Sequence, residues 1–184
     1  MKKTLYLLLA LLVAPVFASS CGDDDDAVSI EEYQHWYDAN VAWLKTEAAK
    51  TNEDGTPFYE EVRPVWAPGQ VIWVHWFNDR AETADAETPL ATSTVTTRYR
   101  GYLYDGYMFD SSVENPNGEI NARVSSLITG WQIALQHMHV GDTVQVLIPY
   151  DLAYGESGNG SISPYSALRF NMRLSAIPCL LDRP

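Results

Sequence analysis

The sequence predicts an α+β fold, and three observations carry that prediction. Two runs alternate with the period of a half-buried strand. Val144, Val146 and Ile148 share one face of residues 143–148; Leu168, Phe170, Met172 and Leu174 share one face of residues 168–174, with Arg169, Asn171 and Arg173 opposite. Before them lies a single short helical pattern, Trp131, Ile133, Ala134, Leu135 and Met138, stopped by Gly141-Asp142. The pair Asp105-Gly106 divides two β-rich runs as a tight hairpin requires. Several strands about one short helix make an α+β domain. No internal repeat is visible.

Taken in order, residues 1–20 read as a bacterial lipoprotein signal. Lys2 and Lys3 are followed by an almost unbroken apolar run from Leu5 to Phe17, then by Ala18-Ser19-Ser20-Cys21. The apolar run is shorter than the ~20 residues that span a bilayer comfortably. Cys21 is the expected lipid acceptor. Residues 21–28 form an acidic tether, because Asp23 to Asp26 repel one another and keep the chain extended. This run also resembles the acidic tag of surface-exported lipoproteins of the Bacteroidetes.

Residues 29–57 are expected to form a helical extension. Ile30, Tyr33, Trp36 or Tyr37, Val41, Leu44 and Ala48 follow the spacing of one apolar face over residues 30–50. Ser29 and Glu32 are placed as a capping box, and the turn cluster from Asn52 to Pro57 ends the helix. The main domain is expected over residues 58–184. Its first strand, Val71 to Phe77, lacks strict alternation and reads as covered on both faces. Asp79 to Pro89 is acidic and loop-like, and Thr92 to Tyr104 is the next strand, leading into the hairpin.

Composition narrows the function. The formal charge is −12, and loss of Lys2 and Lys3 with residues 1–20 takes it to −14. Such a chain repels phosphate backbones, so nucleic acid is disfavoured as a partner. No basic patch adds to membrane attraction, so anchoring must come from acyl chains on Cys21. If the lipid takes that thiol, Cys179 stands alone and the mature chain has no internal disulfide. His137 and His139 lie two apart at a helix end, point to different faces and have no third ligand, so no metal is expected. The glycines of residues 155–160 lack the order of a phosphate loop and any following lysine.

Four segments then stand out: residues 95–112 with Y-R-G-Y-L-Y-D-G-Y-M-F-D-S-S at their end, L-I-T-G-W at 127–131, A-Y-G at 153–155, and I-S-P-Y-S-A-L-R-F at 162–170. Together they resemble the FKBP-type peptidyl-prolyl cis-trans isomerases over residues 92–177. The resemblance implies an antiparallel, twisted half-barrel sheet wrapped on one short helix, here with an extra N-terminal helix. It implies Tyr99 and Phe109 as walls of a proline pocket, Trp131 as its floor, Asp110 as an acceptor beside it, and Ile128 as a backbone N–H donor. Tyr154 is expected to donate its hydroxyl to the substrate carbonyl, with Leu127 and Phe170 as further walls and Ile162 over the bound ring. The implied substrates are proline-containing polypeptides, with an FK506-type macrolide as inhibitor and no cofactor. The expected location is the cell envelope, lipid-anchored at the outer membrane, in the folding of exported proteins.

Three positions depart from the family pattern. Ser163 replaces the first proline of the closing segment, Arg100 fills a slot that is usually small, and Ile120 or Ala122 stands where many members carry phenylalanine. These departures keep an alternative open: an FKBP fold retained as a non-catalytic scaffold of the envelope. The aromatic N-terminal helix suggests a third reading, a chaperone that holds unfolded chains.

Overall fold

The computed structural model describes residues 30–178. The signal, the acidic tether, Cys21, the Ser29 cap and Cys179 lie outside them. Helix α1 spans Ile30–Ala48 and is followed by strands β1 (Glu60–Val62), β2 (Ile72–Trp76), β3 (Thr94–Tyr102), β4 (Met108–Ser111) and β5 (Ile120–Arg123). Helix α2 (Thr129–Leu135) precedes β6 (Thr143–Ile148) and β7 (Leu168–Ala176). The strands form one open antiparallel sheet in the order β1-β2-β6-β7-β3-β4. β5 pairs with the first half of β3, from Thr94 to Thr97, and β4 with the second half.

The inner face of the sheet is built by the alternation legible in the sequence. Val144, Val146 and Ile148 of β6 and Leu168, Phe170, Met172 and Leu174 of β7 are all buried. Against them packs α2 with Trp131, Ile133, Ala134 and Leu135. α2 starts earlier and stops sooner than the apolar pattern to Met138 suggests. His137 N–H donates to Ala134 O and Met138 N–H to Leu135 O. These three-residue steps tighten the chain into a turn that still buries Met138.

Two expectations change. β2 alternates after all: Ile72 and Val74 face the core, whereas Trp73 and His75 lie on the outer face, half covered. The unbroken apolar look comes from that outer layer, where His75 stacks on Phe58 at 3.8 Å and its Nδ1 lies 2.9 Å from Phe58 O. In α1 the predicted face holds at Tyr33, Trp36, Tyr37, Leu44 and Ala48, which are half-buried, and fails at Val41. Val41 is 43% exposed while Asn40 is only 1% exposed. Asn40 Oδ1 accepts from Ala167 N–H at 2.9 Å, and its Nδ2 donates to Trp36 O at 2.9 Å. A buried backbone amide needing an acceptor outranks apolar periodicity here.

The acidic loop after β2 is tied down rather than free. Asp79 caps a short turn, Arg80–Glu82, by accepting from Ala81 N–H at 2.9 Å. The Arg80 guanidinium lies 3.9 Å over the Trp76 ring and donates to His137 O at 2.7 Å, which fastens this loop to the end of α2.

Candidate active site

β3 carries Tyr99 on its inner face, and the turn after β4 holds that residue in place. Tyr99 N–H donates to Ser112 Oγ at 3.0 Å, and Ser112 N–H donates to Tyr99 O at 3.1 Å. Ser112 is buried and also donates its hydroxyl to Gly118 O at 2.7 Å. The paired serines of the D-S-S motif therefore have a local reason. Ser112 pins the backbone of Tyr99, and Ser111 N–H donates to Asp110 Oδ1 at 2.8 Å, which orients the carboxylate. The other carboxylate oxygen accepts from the Tyr99 hydroxyl at 2.6 Å.

Around Tyr99 the aromatic rings meet edge to face. The Tyr99 and Trp131 centroids are 5.0 Å apart at 87°, and those of Trp131 and Phe170 are 5.2 Å apart at 89°. Such edge-to-face contacts are a preferred arrangement of aromatic rings, worth about 0.5–1.5 kcal/mol each beyond the area they bury. They enclose a cleft of about 190 Å³ lined by Tyr99, Asp110, Ile120, Ser126, Leu127, Ile128, Trp131, Tyr154 and Phe170. This is below the ~300–1,000 Å³ of sites for drug-sized ligands, and it suits one small ring.

Seven of the sequence-predicted residues come together on this cleft: Tyr99, Asp110, Leu127, Ile128, Trp131, Tyr154 and Phe170. Two stand apart from its lining. Phe109 meets the Phe170 ring edge-on, with centroids 5.6 Å apart. A Cβ on Gly101 would lie 2.7 Å from both of these rings, so glycine is what allows them to close over the strand. Ile162 is 6% exposed and packs into the core. Its backbone exchanges two 2.9 Å hydrogen bonds with Asn159. The loop turns there through Gly158, at φ 66°, where a Cβ would lie 2.8 Å from Pro164 N.

Of the two candidates for the missing phenylalanine, Ile120 stands on the cleft wall, while Ala122 pairs with Val95 farther along β5. Ser126 also lines the cleft; no sequence signal singled it out. Arg100 is exposed and paired between Ser111 and Asn171, and it is not part of the lining. Ser163 O accepts from Ser166 Oγ at 2.6 Å, a local tie within the segment that departs from the proline pair.

The site's hydroxyls are held neutral. Burial pushes the Tyr99 phenol well above the ordinary tyrosine value, and the hydrogen bond to Asp110 and that residue's charge add to the shift. Burial also raises Tyr154, aided by the charge of Asp110 and opposed by Asn159. Ile128 caps α2, its carbonyl accepting from Trp131 and Gln132 N–H at 3.0 and 3.1 Å. Among the described residues, no backbone acceptor faces the Ile128 N–H. The arrangement combines an apolar box, neutral hydroxyls and one free amide. A wider groove of about 770 Å³ lies at the β1–β2 edge around Phe58, His75 and Trp76, and it shares no lining residue with the cleft. Among the described residues, no three His, Cys, Asp or Glu side chains gather as metal ligands.

Comparison with known proteins supplies a frame for this geometry. The family model of FKBP-type peptidyl-prolyl cis-trans isomerases matches residues 85–175. The chain is 33% identical over 176 residues to the macrophage infectivity potentiator of Trypanosoma cruzi, covering 95% of this chain and 83% of that protein. It is 42% identical over 90 residues to the outer membrane protein MIP of Legionella longbeachae, covering 48% of this chain and 38% of that one. A crystal structure of a peptidyl-prolyl cis-trans isomerase from Pseudomonas syringae pv. tomato superposes with a TM-score of 0.63 at 30% identity. It covers 79% of this chain and 96% of that one.

Proposed function

This chain belongs to the FKBP-type peptidyl-prolyl cis-trans isomerases, whose substrates are proline-containing polypeptides, and we propose that it turns X–Pro bonds in the cleft between Tyr99, Trp131 and Phe170. An X–Pro bond resists rotation because resonance keeps the amide planar, with a barrier of roughly 18–20 kcal/mol. Twisting it confines the nitrogen lone pair and leaves a carbonyl that is more ketone-like. The twisted form is less polar, so an apolar box favours it over the planar form in water. Trp131 is the floor on which the proline ring sits, and Tyr99, Leu127, Ile120 and Phe170 are the walls. The edge-to-face box of Tyr99, Trp131 and Phe170 is the observation that carries this reading.

Two donors complete the site. The Ile128 N–H takes a substrate backbone carbonyl and fixes the register of the peptide. The Tyr154 hydroxyl donates to the carbonyl that turns, where the electrostatic gain is larger in the twisted state than in the planar one. Asp110 accepts from Tyr99 and holds that wall at one angle. No proton leaves its atom along this route, so it calls for no cofactor. An FK506-type macrolide is expected to compete for the same box. The scaffold reading has no observation in its favour, since Arg100 points away from the cleft and Ile120 closes the wall.

The test is Tyr154→Phe. Loss of a donor worth about 1.4 kcal/mol in the twisted state lowers kcat/KM about tenfold. An unchanged rate contradicts the assignment.

A cell-envelope location suits the chain, given its likeness to an outer membrane protein. We assign the anchor to acyl chains on Cys21, with residues 21–28 and their run Asp23 to Asp26 as the acidic tether and the outer membrane as the site of attachment. Cells fed an alkyne-bearing fatty acid should label the wild-type chain and leave Cys21→Ser unlabelled. Equal labelling of the two overturns the assignment.

A further inference from the structure

The segment that bears Tyr154 is held from outside the catalytic domain. Gly155, its neighbour, is tied at both backbone groups: its N–H donates to Tyr150 O at 2.8 Å, and its carbonyl accepts from Tyr165 N–H at 2.9 Å. Tyr165 sits at φ 58°, in the left-handed region that L side chains seldom occupy. Something must hold it there, and its ring shows what. Tyr33 and Tyr37 of α1 each meet the Tyr165 ring edge-on at 5.4 Å, and Tyr150 meets it at 5.0 Å. Tyr37 also touches Tyr150, with centroids 6.0 Å apart. One helix residue thus contacts both tyrosines whose backbones clamp Gly155. Two residues beyond Tyr165, the Ala167 N–H donates to the buried Asn40 of the same helix.

We propose that helix α1 is a positioning element of the active site: Tyr33 and Tyr37 hold Tyr165 and Tyr150, and these hold Gly155 so that the Tyr154 phenol stands at the cleft. The proposal rests on the reading of Tyr154 as the donor to the turning carbonyl. Neither Tyr33 nor Tyr37 touches substrate; both act through the loop. Tyr33 and Tyr37 lie outside the 85–175 stretch matched by the family model, whereas Tyr150 and Tyr165 lie within it, so the device joins the N-terminal helix to the matched domain.

The experiment is a double-mutant cycle in the mature chain between Tyr165→Asn and Tyr154→Phe, with Tyr37→Ala as a second route to the same loop. Asparagine tolerates the left-handed backbone and lacks the ring, so Tyr165→Asn removes the grip with little strain. The expected result is a loss in kcat/KM of about three- to tenfold for Tyr165→Asn or Tyr37→Ala alone, and no further loss when Tyr154 is already phenylalanine. A second readout is the fluorine NMR signal of Tyr154 in fluorotyrosine-labelled protein, assigned as the one missing from Tyr154→Phe. It should shift or broaden in both Tyr165→Asn and Tyr37→Ala. If Tyr154→Phe slows turnover, but the other variants leave rate and signal unchanged or add their loss independently, the positioning role is overturned and the site reading stands. If Tyr154→Phe itself turns over at the wild-type rate, both fall.

Discussion

The Tyr99 hydroxyl and the Asp110 carboxylate are joined at 2.6 Å, and this bond fixes the ring that meets Trp131 at 87°. Asp110 is itself oriented by Ser111 N–H, and Tyr99 by Ser112. In the proposed mechanism this hydrogen bond supports the box and carries no proton to the substrate.

Tyr99→Phe and Asp110→Asn should therefore have similar effects. Each lowers kcat/KM by about five- to tenfold, close to 1–1.4 kcal/mol, and the double variant loses little more than either single one. Steady-state kinetics on a short X–Pro peptide reads this directly. Full additivity means that the two residues act separately.

Turnover should be nearly flat between pH 6 and 8. The Tyr99 and Tyr154 hydroxyls are pushed above the ordinary tyrosine range, so both stay protonated throughout this window. No histidine lines the cleft. A kcat/KM that varies by no more than about twofold is expected. A bell-shaped profile contradicts a mechanism without proton transfer.

Acid stability should hinge on Asp142, whose side chain is fully buried beside the start of β6. Burial alone would raise its pKa. The donors outweigh that: Thr83 hydroxyl at 2.6 Å, His139 N–H at 2.7 Å and Asn78 Nδ2 at 3.0 Å, with Arg80 at 3.7 Å, bring it below the ordinary aspartate value. A folded pKa below the unfolded one stabilises the fold above about pH 4, and that contribution is lost as pH falls through the folded value. Asp142→Asn should thus be less stable than wild type at pH 7, and the gap should close toward pH 2–3. Urea unfolding at both pH values measures it; a gap that widens in acid has the wrong sign for this account.

Pocket and core overlap at Trp131 and Phe170. Leu174 is fully buried in β7 away from the cleft, so Leu174→Ala should cost about 2–5 kcal/mol of stability, and the folded protein should keep its turnover. Trp131 lines the cleft but is also 4% exposed and part of the core. Trp131→Ala should lose activity and about 3–5 kcal/mol of stability together. Denaturation midpoints measured beside kcat/KM separate the two cases, and a Leu174→Ala variant with normal stability places that residue wrongly.

How much of this could be read from the chain depended on the range of each interaction. β6 and β7 were legible because half-buried strands print their alternation on the sequence. β1 and β5, three and four residues long, are too short to show a period. The burial of Asn40 in place of Val41 was hidden because Asn40 serves Ala167, 127 residues away, which no local pattern records. Most of the cleft followed from the four family segments. Ser126 carried no signal, and the inward turn of Ile162 depends on the positive φ at Gly158 in a loop whose path only the fold determines.

The central claim is tested most directly by cis/trans exchange on a short peptide with an apolar residue before proline, followed by NMR in the presence of the protein, with and without an FK506-type macrolide. The account predicts faster exchange than in buffer, abolished by the macrolide and strongly reduced in Tyr154→Phe. A folded protein that leaves the exchange rate at its uncatalysed value contradicts it.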